Sequence, residues 1–154
     1  MDLLSPFTFA TQTKTTTMSK HSIYLMFNGN AEEAINYYKE HLGGTISMMQ
    51  RYKESGQPHS ESYGEKIMHA TMEVGNLTLM FSDADEKRGV TIGDNFSIAL
   101  DFKSDGALRE AFNALSTGGQ VTMPVQDTFW GATFGMCKDK FGINWMFNYD
   151  KPKA

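Results

Sequence analysis

Ala70–Phe81, ATMEVGNLTLMF, and Ala132–Phe147, ATFGMCKDKFGINWMF, are the two stretches whose reading decides the fold. Each is an apolar-rich run, a turn carrying glycine and a second apolar run, the pattern of two antiparallel strands joined by a short connection. Upstream of each lies a strand, an amphipathic helix and another strand. Ile23–Phe27 is rich in β-branched and aromatic residues and predicts a strand. Asn30 then reads as a helix N-cap, with Glu33 three residues on as in a capping box. Ala31, Ala34, Ile35, Tyr38 and Leu42 form one apolar face at helical spacing, and Gly43 ends the helix. Thr45–Arg51 predicts the second strand; Ile67–Val74 and Leu77–Ser82 the first hairpin.

The same order returns further along. Phe96–Phe102 predicts a strand, Ser104 or Asp105 caps a helix with Leu108, Ala111, Phe112 and Leu115 on its apolar face, and Gly118–Gly119 ends it. Gln120–Val125 predicts a strand, Gln126–Gly131 a loop, and the second hairpin follows. Ile23 to Ile98, Phe27 to Phe102 and Gly44 to Gly119 are each 75 residues apart, and Met48 matches Met123 at the same offset. A period of this kind marks a duplicated supersecondary unit. The expected fold is therefore α+β: two βαβββ modules, about 21–83 and 95–150, forming one domain over 21–150 with a cleft between curled mixed sheets. Asp83–Asn95 is the charged connection between modules. Lys53–Glu65, polar and containing Gly and Pro, reads as an exposed loop long enough to act as a lid.

Composition limits the function. Hydrophobic residues make up 40% and charged residues 21% of the 154, enough for a packed core. A net charge of −4 without a basic cluster gives no footprint for nucleic acid or an anionic membrane. No run approaches the roughly 18 apolar residues of a membrane span. Residues 1–20 lack the parts of a secretory signal and read as a disordered leader, with Met18 a candidate start of the folded part. The single Cys137 excludes an internal disulfide, fits a reducing, cytoplasmic setting, and reads as a small core residue in a strand. Eleven methionines suggest adaptable apolar surfaces, in the core or along a pocket.

Tyr24-Leu25-Met26-Phe27-Asn28-Gly29-Asn30-Ala31-Glu32-Glu33-Ala34, Tyr37-Tyr38 and Gly43-Gly44 resemble the opening of the PhnB-like branch of the vicinal oxygen chelate superfamily. Ile67-Met68-His69-Ala70, Leu79-Met80-Phe81-Ser82-Asp83, Asp127-Thr128-Phe129-Trp130-Gly131 and Asp139-Lys140-Phe141-Gly142-Ile143-Asn144-Trp145 agree with it. That superfamily includes glyoxalase I, bleomycin-resistance proteins and extradiol dioxygenases. The resemblance spans about residues 22–149 and implies the glyoxalase/bleomycin-resistance fold. It also implies a homodimer, since related proteins commonly complete their cleft or bury a sheet edge through a partner. Some members of the branch carry a ubiquinone-methyltransferase label, but this chain has no glycine-rich strand-to-helix turn for S-adenosylmethionine.

In catalytic members metal ligands come from strand positions facing the cleft. Carried over, these positions hold Ile23, His69, Ser97 and Met146, of which only His69 is a good ligand. A catalytic metal takes about three protein ligands with an open position. His69 with Glu73 gives two at most, so no metal or other cofactor is expected; a divalent ion is disfavoured rather than excluded.

Side-chain alternation predicts Met68, Ala70, Met72 and Val74 under the helix, with His69, Thr71 and Glu73 toward the cleft. On the last strand it predicts Ile143, Trp145 and Phe147 inward, with Asn144, Met146 and Asn148 toward the cleft. The expected ligand pocket is His69, Thr71, Glu73, Trp130, Asn144 and Met146; no catalytic residue is assigned. His69 reads either as a pocket residue or as a histidine satisfied by Thr71 or a backbone carbonyl. Trp130, beside Phe129, suits a pocket or an interface, or plugs one end of the cleft. The expected function is binding of a small molecule without a functional metal. The alternatives are a metal-dependent lyase, isomerase or dioxygenase, and a chain whose cleft is filled by its own side chains.

Overall fold

Period-two alternation in the strands and period-3.6 alternation in the helices produce one shared core. A computed structural model describes residues 17–153, so residues 1–16 of the expected leader lie outside it. The elements are β1 (Ile23–Phe27), α1 (Ala31–Leu42), β2 (Thr45–Arg51), α2 (Tyr52–Ser55), β3 (Ile67–Val74), β4 (Leu77–Asp83), β5 (Ile98–Asp101), α3 (Asp105–Ser116), β6 (Gln120–Asp127), β7 (Ala132–Lys138) and β8 (Asn144–Asp150). They form two four-stranded sheets, ordered β1-β4-β3-β2 and β5-β8-β7-β6. In each, the first strand pairs in parallel with the last and the remaining pairs are antiparallel. The fold is α+β, a duplicated βαβββ.

Both helices bury the face their sequences define. Ala31, Ala34, Ile35 and Tyr38 of α1, and Leu108, Ala111, Phe112 and Leu115 of α3, are buried; Leu42 is half-buried. Burying a side chain such as Ile35 or Leu108 contributes roughly 1.5–3 kcal/mol. Ser104 caps α3, its Oγ accepting from Ala107 N–H at 3.1 Å. The expected capping box at α1 does not form: Asn30 makes no side-chain cap bond. Buried Asp83 takes that part, accepting Ala31 N–H and Ile67 N–H at 2.9 Å each, so the end of β4 fixes both the start of α1 and the entry to β3.

The two halves meet at Asp139 and Phe141, in the connection between β7 and β8. Phe141 packs edge-on to Phe27, Tyr37 and Tyr38. Buried Asp139 accepts from Tyr38 Oη at 2.5 Å, Trp145 Nε1 at 2.8 Å and the amides of Phe141 and Ile143 at 2.9 and 3.0 Å. Tyr38 also lies 5.3 Å from Trp145 and 6.2 Å from Phe81, joining the two sheets through one ring.

Other sequence expectations change as well. At the start of β3, Ile67 is the core residue and Met68 is half-buried, because β3 carries an extra residue between its pairings with Gln50 and Arg51. β5 begins at Ile98 and β6 runs on to Asp127. The segment read as a lid is folded and tied down: α2 and a 3-10 turn at Glu61–Tyr63 occupy it. Tyr52 Oη donates to Asp83 O at 2.9 Å and Tyr63 Oη to Ala84 O at 2.6 Å. Arg51 at its root grips Glu32 with two bonds of 2.9 and 2.7 Å.

Candidate functional site

Because β-strand side chains alternate, burying Leu25 and Phe27 turns Tyr24 and Met26 onto the opposite, open face of the first sheet. Ala70 and Met72 do the same for His69, Thr71 and Glu73 on β3. Strand pairing then sets Tyr24, Met80, Thr71 and Met48 side by side in a row across four strands. His69 stands half-buried beside that row. Its Nδ1 is 3.1 Å from Tyr24 Oη and its Nε2 is 3.3 Å from Thr71 Oγ1. A neutral imidazole carries one N–H, so one hydroxyl donates to the ring and the other accepts from it. Both nitrogens are thereby oriented, and the ring tilts against Tyr24 at a centroid distance of 5.6 Å.

Glu73 does not join His69. Four residues along a strand separate them by roughly 13 Å. The Glu73 carboxylate instead accepts from Thr78 Oγ1 at 2.6 Å and meets Lys20 at 3.5 Å. On the second sheet Met146 faces the open side, paired in register with Ala99 and Met136. Asn144 Nδ2 donates to Gly93 O at 3.3 Å. Trp130 is 57% exposed, with Phe129 at 4.9 Å and Phe134 at 6.1 Å. Among the described residues, hydrogen bonding joins His69 and Thr71 to each other but links neither to Trp130, Asn144 or Met146. His69, Thr71 and Glu73 stand on the first sheet, Asn144 and Met146 on the second, and Trp130 in the loop between β6 and β7.

Tyr24 was missing from the sequence expectation, although the alternation Ile23, Leu25, Phe27 contains the signal. It also lines a cavity of about 670 Å³ between β1 and the β7–β8 connection, together with Met26, Asn28, Phe96, Phe141 and Asn144. Asn144 alone of the six expected pocket residues reaches this space. A second cavity of about 900 Å³ occupies the equivalent place along β5, against Leu42, Val74, Asn76 and Leu77.

Other candidates are structural. Cys137 is 1% exposed, and burial with Asp139 nearby pushes its thiol up to about 12, so it is held as the unreactive thiol. Tyr38 is raised far above the ordinary tyrosine value by burial and by Asp139. The Arg51 bonds hold Glu32 below the usual carboxylate range. The donor set at the carried-over ligand positions does not fit a divalent metal: Ile23 packs against the core, and Ser97 and Met146 are poor partners for His69. Among the described residues no three His, Cys, Asp or Glu side chains form a metal-binding group.

Duplicated βαβββ modules with this topology are the glyoxalase/bleomycin-resistance fold, and within it the chain belongs to the PhnB-like branch of the vicinal oxygen chelate superfamily. A family model described as 3-demethylubiquinone-9 3-methyltransferase matches residues 19–147, and the chain belongs to that family. It is 32% identical over 140 residues to protein YjdN of Escherichia coli (strain K12), covering 84% of this chain and 95% of YjdN. It is 41% identical to PA1353 from Pseudomonas aeruginosa, whose crystal structure superposes with a TM-score of 0.79 over 86% of this chain and 100% of the other. A Bacillus cereus PhnB protein, termed a putative 3-demethylubiquinone-9 3-methyltransferase, is 25% identical with a TM-score of 0.70, covering 84% and 98%. The fold alone extends to a glyoxylase/bleomycin resistance protein/dioxygenase domain from Frankia sp. EAN1pec, 15% identical, TM-score 0.62, covering 88% and 100%.

Proposed function

We propose that this protein binds a small organic molecule on the open sheet faces, around His69, and needs no metal to do so. The observation that carries the reading is the double anchoring of His69. A histidine held at both nitrogens by Tyr24 and Thr71 on a half-exposed face is oriented to exchange hydrogen bonds with a ligand that displaces one hydroxyl. Because His69 and Thr71 lie on one sheet and Asn144, Met146 and Trp130 with the other, the complete cleft is proposed to form in a homodimer that sets one protomer's first sheet against its partner's second. Glu73 is then a border residue of that cleft. Cytoplasmic residence is part of the proposal, resting on the lone Cys137, which has no partner for an internal disulfide. The methyltransferase description is not carried over as an activity, because the turn from β1 into α1 is Asn28-Gly29-Asn30 and not a glycine-rich nucleotide loop.

The test is a thermal-shift screen of small molecules against the wild type and His69→Ala, with sedimentation to measure mass. A ligand present at 100 times its Kd raises stability by about 2.7 kcal/mol. The expected result is a compound that stabilises the wild-type dimer and leaves His69→Ala unmoved, while the unliganded variant melts within a few degrees of wild type. A variant that loses stability but keeps its ligand response overturns the reading. Near-stoichiometric metal retained after dialysis against zinc, nickel, manganese or iron would instead favour a metal-dependent lyase, isomerase or dioxygenase.

A further inference from the structure

Five of the eleven methionines fall in two equivalent rows. On the first sheet the row is Tyr24, Met80, Thr71, Met48; on the second it is Ala99, Met146, Met136, Met123. The two correspond strand for strand under the internal repeat: Tyr24 to Ala99, Met80 to Met146, Thr71 to Met136 and Met48 to Met123. Met26, 52% exposed, stands beside the first row. These are not core positions: Met48 is 45% exposed, and Met80, Met123, Met136 and Met146 are half-buried. Methionines that merely fill the core lie elsewhere, as fully buried Met72 does.

The rows contain no formal charge. Of the charged groups that border them, Glu73 is engaged with Thr78 and Lys20, and Asp101 with Asn148 Nδ2 at 2.9 Å, while Lys138 stands two residues from Met136 at the border of the second row. Within the first row the hydrogen-bonding side chains are Tyr24 and Thr71, and the His69 ring meets both. At its β1 end that row opens through Tyr24 onto the 670 Å³ cavity. A thioether is flexible and polarisable, and its sulfur makes a favourable contact with the edge of an aromatic ring that leucine cannot make.

We infer that the two methionine rows are the contact surface for an uncharged, planar aromatic ligand carrying one hydroxyl or carbonyl oxygen, with Tyr24 and His69 meeting the oxygen. The inference rests on the small-molecule reading above and adds the ligand's class and the surface that meets it.

The experiment uses the full chain labelled with ¹³C at the methionine methyls, each signal assigned by a single Met→Leu variant. The probes are 2-naphthol and its saturated counterpart decahydro-2-naphthol. Ring-current shifts should appear at Met48, Met80, Met123, Met136 and Met146 and leave Met72 unmoved. 2-Naphthol should bind at least tenfold more tightly than the saturated alcohol. The pair Met80→Leu and Met146→Leu should lower 2-naphthol affinity about threefold or more with an unchanged melting midpoint. Equal affinity for both alcohols, with the same methyls shifted, overturns the aromatic class and leaves the small-molecule cleft standing. Row methyls unmoved by 2-naphthol overturn the site, also when a compound from the thermal screen binds elsewhere. Signals that respond only to protein concentration overturn it too, showing the rows to be covered by a second copy of the chain.

Discussion

Tyr38→Phe isolates the bond that locks the two halves together. The change deletes one oxygen and keeps the ring, so contacts with Phe81, Phe141 and Trp145 remain. What is lost is a donor 2.5 Å from a carboxylate, with both residues almost fully buried. A hydrogen bond to a charged group contributes about 1.5–3 kcal/mol, and this one closes a contact spanning 101 residues. Asp139 keeps Trp145 Nε1 and two amides, so its charge stays solvated by the protein and no donor is orphaned. The expected cost is therefore about 2 kcal/mol, which for a chain of this size lowers Tm by about 4–8 °C. Asp139→Ala is a different perturbation. It strands the Tyr38 hydroxyl, the Trp145 indole N–H and two amides at about 1–3 kcal/mol each, a sum comparable to the whole stability of a typical domain. Urea titration in a Trp130→Phe background, followed by Trp145 fluorescence, measures both. A Tyr38→Phe variant within about 0.5 kcal/mol of its parent, at unchanged m, would refute the reasoning by showing that the bond contributes nothing net.

Gly119→Ala should destabilise far more than Gly44→Ala, although the two glycines are repeat equivalents. A Cβ at Gly119 meets the Lys138 carbonyl oxygen at 2.1 Å and Asp139 backbone at 2.8 and 2.9 Å, while at Gly44 it meets chiefly the flexible end of Met72. The expected difference is about 2 kcal/mol or more by urea titration, and equal midpoints would contradict it. Stability should also fall at high pH. Burial pushes Cys137 and Tyr63 each up to about 12 and raises Tyr37, Tyr38 and Tyr52 above the ordinary tyrosine value of 10.0. Raised folded values favour the protonated fold, so their contribution is whole below the unfolded values of 9.0 for the thiol and 10.0 for the phenols and fades as pH approaches 12. An urea midpoint that holds steady from pH 9 to 11.5 would count against this. Iodoacetamide at pH 8.5 should label Cys137 only in urea; labelling at the same rate in the native protein would show the thiol to be accessible.

Local patterns carried most of the fold. The limits of β1, β2 and β3 and the apolar faces of both helices follow from alternation and helical spacing, because those signals and tertiary packing agree here. Failures arose where a distant residue replaced a local one. Asn30 and Glu33 look like a cap, yet Asp83, 52 residues from Ala31, takes the helix start. Nothing near Asp139 in sequence reveals that its carboxylate gathers Tyr38 and Trp145; an Asp two residues before Phe-Gly reads as an ordinary turn. The Lys53–Glu65 segment is polar enough to pass for a mobile loop, but its anchors are Tyr52 and Tyr63, which point their hydroxyls at backbone carbonyls of Asp83 and Ala84.

The site was legible one strand at a time and not across strands, and the repeat explains why. A constant offset of 75 holds from β1 through β2, then breaks: Thr71 corresponds to Met136 at 65 and Met80 to Met146 at 66, because α2 and the 3-10 turn lengthen only the first half. Extending 75 past that insertion pairs His69 with Asn144 and Thr71 with Met146, which suggests two like half-sites. The true correspondence from register is His69 with Phe134 and Thr71 with Met136. The two open faces are therefore unlike: both carry thioethers, but one adds Tyr24, His69 and Thr71 and the other Phe134. A duplicated backbone has kept its methionines at 48 and 123 and at 80 and 146, and has set Tyr24, His69 and Thr71 on one wall where the other has Ala99, Phe134 and Met136. On the small-molecule reading proposed above, that asymmetry would offer a bound molecule a polar edge on the first wall, so its orientation, rather than its size alone, would be what the cleft selects.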